Sequence, residues 1–521
     1  MSNRAIEAAL EYHRATNHSP ASLARNAVAL DYPNKPLPYK IYTTLAPIPL
    51  PGDLPPSPLP PKTPLGAGAL DALAAPPVAG GAEHVPDLAA LARLCHYANG
   101  VTKHLRRPGG AYAMRAAACT GALFHLEVYV VCGDLPGLAA GVYHYGAHDD
   151  ALRLLRVGDY RRALVEATGH QPAVSAAPAI VVLTDTFWRN AWKYRARAYR
   201  HTYWDAGTIL ANLLAVAAAT ALPAEVVLGY ADAPVDRLLD VDGEREAAVA
   251  LVALGRTARA APPAPPVAPL DLPTERLSPT EVDYPPIRAL HAASSLASGE
   301  EAAEWRGAPP PRPVPPPAGE LTPLHPLAPD DLPRDPVESV IRRRGSTRRF
   351  THEPITRAQL ATALDRACRP IPADCTDPAG RLMSEPYLIV GAIAGLAPGA
   401  YRYRQEDRAL ELLRAGDYRE EAGFLALDQA LGADAAVNVY FLARLEPILA
   451  RFGNRGYRAA QLEAAIAAGR IYLASYAQRF GATGLTFFDD DVTAFFGPSA
   501  AGMSVLFLVA LGHKVRRGGD S

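Results

Sequence analysis

At 521 residues the chain is long enough for roughly two to four domains of about 150 residues each. With 52 Lys+Arg against 53 Asp+Glu and no strongly basic half, it lacks the electrostatic footprint of a nucleic-acid binder. Its five cysteines, Cys95, Cys119, Cys132, Cys368 and Cys375, have no C-x-x-C spacing, which argues against a disulfide framework and for a reducing, cytoplasmic setting.

In chain order, MSNRAIEAALEYHRATNHS lacks the apolar core of a signal peptide. Residues 1–80 read as an irregular, Pro-rich segment, broken by Pro33, Pro36, Pro38, Pro47, Pro49 and Pro51. Residues 86–96 carry apolar side chains at helical spacing. Glu127–Val131 and Ala179–Leu183 read as buried strands. A long helix is expected from Trp204 to Ala221, then strands at Glu225–Leu228 and Ala248–Leu254. Ile209–Leu222 is nearly all apolar but contains Asn212. It is shorter than the roughly 20 residues that cross a membrane, so a buried core helix is expected and no membrane span.

Between Ala261 and Pro336 lie 21 of the 51 prolines, a composition that favours extended polyproline structure. One helical island, Ile287–Trp305, interrupts it. Beyond it, Val337–Phe350 reads as an amphipathic helix running into an Arg cluster, and Thr356–Ala367 as a second helix. Strands are expected at Tyr387–Val390 and Ala436–Leu442, a long helix at Gln461–Phe480 and a last strand at Ser504–Leu511.

The chain also repeats itself at a spacing of 258 residues. Gly141–Arg161 and Gly399–Arg419 are identical at 13 of 21 positions, and the same offset aligns Lys193–Arg200 with Arg451–Arg458. The period is far longer than the roughly 20–50 residues of a solenoid, so a duplicated domain is expected. Strands and long helices alternate without a repeated strand–helix–strand unit, which favours an α+β fold. The expected organisation is an N-terminal segment (1–80), a first domain (81–258), a Pro-rich linker (259–336) and a second domain (337–521), with the two domains packed as an internal pseudo-dimer.

Arg344-Gly345-Ser346-Thr347-Arg348 sets two guanidinium forks around a small hydroxyl-bearing step. That chemistry suits a phosphate, and it equally suits a solvated basic helix end. No H-E-x-x-H or similar spacing is present, so no metal site is expected.

R-x-S-x-R-x-F after a helix resembles the FMN-phosphate motif of the nitroreductase family. Arg115–Val131 resembles the segment that reads R-x-x-P-S-A-G-A-L-Y-P-x-E-x-Y in azoline oxidases of the SagB/ThcOx branch. Lys193–Gly207 resembles that branch's K-Y-x-x-R-x-Y-R…(D/E)-A-G-H block. Two departures stand out: Ala118-Cys119-Thr120 replaces Pro-Ser-Ala, and Thr208 replaces the histidine.

The resemblance implies two tandem nitroreductase-like domains and an FMN cofactor. It implies phosphate contacts from Arg344, Gly345, Ser346 and Arg348, with Lys514 and Arg516 adding a second set after the last strand. Cys119, Thr120 and Gly121 form the ring-facing loop, Gly484, Leu485 and Thr486 the ring-edge loop, and Lys193 and Tyr194 the catalytic pair. Lys or Tyr can act as a base if neighbours lower its pKa, and Arg195, Arg197 and Arg200 are the cations at hand. The first copy offers only Thr16-Asn17-His18-Ser19 in place of the Arg motif, and the second has lost the glycine-rich loop and the Lys-Tyr pair. One composite site, rather than two, is therefore expected.

Three functions remain open on this reading. The first is dehydrogenation of azoline rings in a modified peptide, with other peptide-modifying enzymes as partners. The second is an NAD(P)H-driven nitro or quinone reductase, and the third a flavin-free scaffold.

Overall fold

The computed structural model describes residues 3–25, 29–52, 68–76, 82–107 and 110–515. The chain builds one architecture twice. Each copy contains a seven-stranded sheet in which all neighbours run antiparallel.

In the first sheet the order is Ile48–Pro49, Ala151–Val157, Gly141–Gly146, Leu126–Cys132, Ala179–Thr186, Glu246–Leu254, Ala224–Val227. In the second it is Leu321–Pro323, Ala409–Ala415, Gly399–Arg404, Ser384–Val390, Val437–Ala443, Ser504–Gly512, Gly481–Leu485. The irregularities of register repeat as well. One falls at Val142/Tyr143 and at Ala400/Tyr401, another at Leu183/Thr184 and at Phe441/Leu442. All four sit at the 258-residue offset, so the duplication preserves local twist as well as strand order.

The α+β reading of tandem domains thus holds, and the pseudo-dimer is built around two long helices. Ala198–Ala219 and Arg455–Ala477 pack on each other, and their side chains are buried almost throughout. Both begin about six residues earlier than the apolar run suggests, because the charged positions ahead of it are also buried in ion pairs. Small side chains set the crossing. A Cβ added at Gly207 would stand 2.4 Å from the Ala465 methyl, and one at Gly469 2.6 Å from that of Ala211. Gly207 and Ala465 are equivalent positions, as are Ala211 and Gly469, so each glycine faces the partner copy's alanine across the pseudo-twofold axis.

Residues 1–80 are not irregular throughout. They include helices Glu7–Ala15, Pro20–Arg25 and Ala69–Ala74. The single helical island of the Pro-rich stretch is two helices, Pro285–Ala293 and Gly299–Trp305, the second capped by the Ser298 side chain.

The first helix of each arm makes the same contacts in its own half. Arg200 donates to Thr16 Oγ1 and to the His13 carbonyl, while the His18 amide donates to the Asp489 carboxylate and the His18 carbonyl accepts from the Asp489 amide. Arg458 donates to Ser294 Oγ and the His291 carbonyl, and Asp232 makes the matching exchange with Leu296. The N-terminal arm and residues 285–305 are therefore equivalent parts of the duplication, although their sequences share little beyond H-x-x-(S/T). The helix ahead of the Arg motif, Val337–Arg343, follows its arm as Ala69–Ala74 follows the first. The counterpart of the motif thus begins at Ala75-Pro76, not at Thr16–Ser19, and continues outside the described residues.

Among the described residues, no helix is long and apolar enough to cross a membrane.

Candidate functional site

A cavity of about 350 Å³ opens at the interface of the copies. The first copy supplies Ala118–Ala122, Lys193 and Tyr194, and one stripe of its central helix, His201, Trp204, Asp205 and Thr208. Those four positions are spaced i, i+3, i+4, i+7, the spacing of a single helix face. The second copy supplies Ser346, Arg348, Tyr472, Thr483–Thr486 and Phe507. Most residues assigned from the sequence therefore meet here: Lys193, Tyr194, Cys119, Thr120, Gly121, Ser346, Arg348, Gly484, Leu485 and Thr486.

The loop at 118–122 is fixed to the helix stripe. Asp205 accepts from the Thr120 amide at 2.9 Å, the Thr120 hydroxyl at 2.8 Å and the Cys119 thiol at 3.1 Å. Thr208 Oγ1 donates to the Ala118 carbonyl at 2.6 Å. Gly121 turns the loop at φ 64, a conformation in which a Cβ is strained. A Cβ there would also stand 2.9 Å from the Tyr194 hydroxyl, so Tyr194 lies directly over this glycine.

Behind the loop, His125 is fully buried between two carboxylates, Nδ1 at 2.7 Å from Asp185 and Nε2 at 2.7 Å from Asp205. Burial alone would strip its proton, but the two acids hold the imidazolium well above the ordinary range. The sequence reading missed this residue. The available signal was the azoline-oxidase segment itself, which has proline where this chain has His125. His201 was missed too. Its Nδ1 pairs with Asn190 Oδ1 at 2.8 Å, while its buried Nε2 has no hydrogen-bond partner among the described residues.

The expected activation of Lys193 and Tyr194 by Arg195, Arg197 and Arg200 is not what the structure contains. Arg197 and Arg200 are buried and spent on Asp489 of the other copy, at 2.9 and 2.6 Å. Lys193 is pushed below the usual lysine range by partial burial first, then by Arg348 and Lys35. Tyr194 moves the opposite way, raised by burial and by the nearby Asp205 and Cys119. The tyrosine is therefore a neutral phenol, and the lysine is the group whose proton affinity is shifted toward base chemistry.

The phosphate assignments divide. Ser346 and Arg348 line the cavity; Arg344, Gly345 and Lys514 do not. The Arg344 guanidinium is buried and donates to the carbonyls of Ala116 and Arg115, both at 3.0 Å, so it ties the two copies together. Lys514 is exposed and bridges Phe350 at the edge of the fold. Arg516 lies outside the described residues. Lys103, unforeseen, reaches from the first copy to the Arg343 and Arg344 carbonyls. Burial first, then Arg344 and Lys514, lowers its pKa to about 8.

At the mirror-image position the chain fills the space itself. The strand edge at Val226 pairs with residues 372–374: the Val226 amide donates to the Pro372 carbonyl and the Asp374 amide to the Val226 carbonyl. Asp374 also accepts from the Leu228 and Gly229 amides at 2.9 and 2.8 Å. Arg470 donates to the carbonyls of Arg369 and Pro370, leaving a cavity of only about 40 Å³ beside it. Of Arg451 and Phe452, the equivalents of Lys193 and Tyr194, Phe452 is buried against Trp305, whose indole N–H donates to the Phe452 carbonyl at 2.8 Å, and Arg451 is exposed, donating to the Trp305 carbonyl at 3.2 Å. Glu463, the equivalent of Asp205, instead accepts from the Met383 and Ser384 amides.

Comparison with known proteins agrees with this two-copy arrangement. A crystal structure of a nitroreductase-type protein from Anabaena variabilis ATCC 29413 superposes over 98% of this chain and 99% of its own, with TM-score 0.76 and 26% identity. The trifolitoxin-processing protein TfxB of Rhizobium leguminosarum bv. trifolii is 30% identical over 146 residues, 27% of this chain and 39% of that protein's length. A nitroreductase-type protein of Methanocaldococcus jannaschii, MJ1384, is 24% identical over 172 residues, 31% of this chain and 84% of that protein. Residues 111–256 and 341–513, one stretch in each copy, match the Nitroreductase family, and the chain belongs to that family.

Proposed function

We propose that the chain is an FMN-dependent oxidoreductase of the SagB-type branch that holds one flavin and dehydrogenates azoline rings in a modified peptide. The observation that carries the flavin reading is the contrast between one open composite cavity and one filled mirror image. Nitroreductases generally bind a flavin, and this cavity has the chemistry for one. Trp204 and Phe507 offer aromatic walls. At Gly484 a Cβ would meet the Tyr472 hydroxyl at 3.3 Å and the Phe507 ring at 3.5 Å, so glycine keeps that wall flat. His201 Nε2 is a buried acceptor awaiting a donor. Arg348 has no ion pair among the described residues, and Lys103 feels the charges of both Arg344 and Lys514. A phosphate would neutralise that concentration of charge.

Bound FMN would supply the two-electron acceptor. The chain's own part is positioning and proton management. Hydride departure from a ring carbon is easier when a neighbouring proton leaves to a base, and Lys193 at the cavity rim is suited to take it. Tyr194, kept neutral, closes the cavity over Gly121. The peptide reading draws its support from the SagB-type motifs and from similarity to TfxB, by name a trifolitoxin-processing protein. It includes other peptide-modifying enzymes as partners and a cytoplasmic setting.

The test begins with colour. The purified chain, loaded with FMN, should turn yellow and convert an azoline-bearing peptide to its azole under air. A chain that takes up no flavin refutes the reading. Rapid bleaching by NAD(P)H without ring oxidation would replace it with a reductase.

A further inference from the structure

We propose that Cys119, His125 and Asp205 form a binding site for a divalent transition metal, of which Zn(II) is the natural first probe. The thiol sulfur, imidazole Nε2 and carboxylate Oδ2 lie within 4.8 Å of one another. Soft thiolate, imidazole and one carboxylate are the ligand types of a tetrahedral zinc site that keeps one position open.

What distinguishes this cluster from a chance meeting is its surroundings, because each ligand is held from behind. His125 Nδ1 is bonded to Asp185 at 2.7 Å, which leaves Nε2 to face inward. Asp185 is itself held by the Thr202 hydroxyl. Asp205 is oriented by Thr120, whose hydroxyl donates to Oδ1 at 2.8 Å and whose amide is shared between Oδ1 and Oδ2 at 3.0 and 2.9 Å, while Oδ2 is the oxygen that faces Cys119 and His125. The Phe124 amide donates to Cys119 Sγ at 3.1 Å, the kind of bond that stabilises a thiolate. A carboxylate behind a ligating histidine is a recurrent outer-shell device. Cys119 and Asp205 also line the cavity, which gives the open coordination position an outlet.

The three-residue set is invisible to spacing rules because its members lie 6 and 80 positions apart. Against the azoline-oxidase segment, the substitutions at 119, 120 and 125 supply the thiol, the hydroxyl behind Asp205 and the imidazole. Without metal, two protons hold the cluster together, one between Cys119 and Asp205 at 3.1 Å and one between His125 and Asp205 at 2.7 Å. A metal at about 2.0–2.3 Å from each donor replaces both protons and spreads the ligand atoms by about half an ångström. The balance is one M²⁺ bound and two H⁺ released, with no change of oxidation state.

The experiment uses the full chain as purified, with whatever flavin it carries. It is dialysed against buffered micromolar Zn(II), and metal content is measured by mass spectrometry. The expected result is about one zinc per chain, with close to two protons released in calorimetry repeated in buffers of different ionisation enthalpy. Cys119→Ser and His125→Gln should each weaken zinc binding at least tenfold, while Cys375→Ser, remote from the cluster, should not. On the unsubstituted chain, zinc should slow alkylation of Cys119, a readout that survives if a variant fails to fold. Zinc below about a tenth per chain, or retention unchanged in both ligand variants, overturns the proposal. Metal content does not depend on the flavin assignment, so either can fail without the other.

Discussion

Gly121→Ala is the sharpest single-atom probe of the proposed site. The position sits at φ 64, where an L-residue costs about 1–2 kcal/mol. The new methyl carbon would lie 2.9 Å from the Tyr194 hydroxyl and 3.2 Å from its ring. Since real Cβ contacts are not that short, the tyrosine must move. The stability loss should stay near the backbone cost, a fall in Tm of at most a few degrees. The catalytic loss should be larger, because a displacement approaching 1 Å costs about 100-fold in a positioned reaction. The assay is kcat/KM for ring oxidation, with flavin content and thermal unfolding measured on the same samples. A double-mutant cycle then isolates the cause. In a Tyr194→Phe background the nearest atom is gone, so Gly121→Ala should cost clearly less there, a coupling of about 0.5–3 kcal/mol. Full turnover in Gly121→Ala, or strict additivity with Tyr194→Phe, would refute the placement of Tyr194 over the reacting atoms.

Four further outcomes follow from the asymmetry of the copies. Flavin released by denaturation should approach one per chain, and a value near two would mean that residues 370–376 do not fill the mirror position in solution. Arg348→Ala should weaken FMN binding roughly ten- to hundredfold, as loss of a charge-assisted contact of about 1.5–3 kcal/mol implies, measured by flavin fluorescence titration. Lys193→Ala should keep flavin yet lose about 10²–10⁴ in turnover, whereas Arg451→Ala at the equivalent position of the other copy should lose almost none. Asp489→Asn and Asp232→Asn should each destabilise by about 3–5 kcal/mol, since each leaves two buried guanidinium groups unpaired. Both aspartates are held at about 2 in the fold, against burial, by their arginine pairs. Their stabilisation is therefore complete above about pH 4 and is lost as pH falls from there toward 2. Denaturant midpoints of the variants and the unsubstituted chain should converge across that window.

Much of the fold was legible because duplication supplies its own control. The aligned runs at 141–161 and 399–419 fell on the same two strands and the following helix in both copies. The apolar stretches at 209–222 and 461–480 became the paired central helices. What the sequence hid was the equivalence of the two arms. Their common task is to cap an arginine pair through H-x-x-(S/T), and so little sequence achieves it that residues 285–305 read as an island in a linker. Helix starts were misjudged for a related reason. Arg197, Arg200, Arg455 and Arg458 are buried charged side chains, and the partner copy's aspartate supplies the countercharge that makes that burial tolerable.

The site was legible wherever a motif speaks through its backbone, as at Gly121 and Gly484–Thr486. It was misleading wherever a charged side chain had two possible uses. Arg344 carries the phosphate motif's residue type, but the nearest acceptors are the carbonyls at 115 and 116, so a contact expected for a ligand became a contact between copies. Arg197 and Arg200 went the same way. Each copy's aspartate neutralises the other's arginines, and this holds equally at the open and the filled interface. The scaffold that clamps the copies is thus symmetric, and only the lining is not. That separation lets one interface lose its loop, its Lys-Tyr pair and its open volume without unclamping the pair, and it makes Asp232→Asn a clean control: it should loosen the chain as much as Asp489→Asn while leaving the cavity's own residues in place.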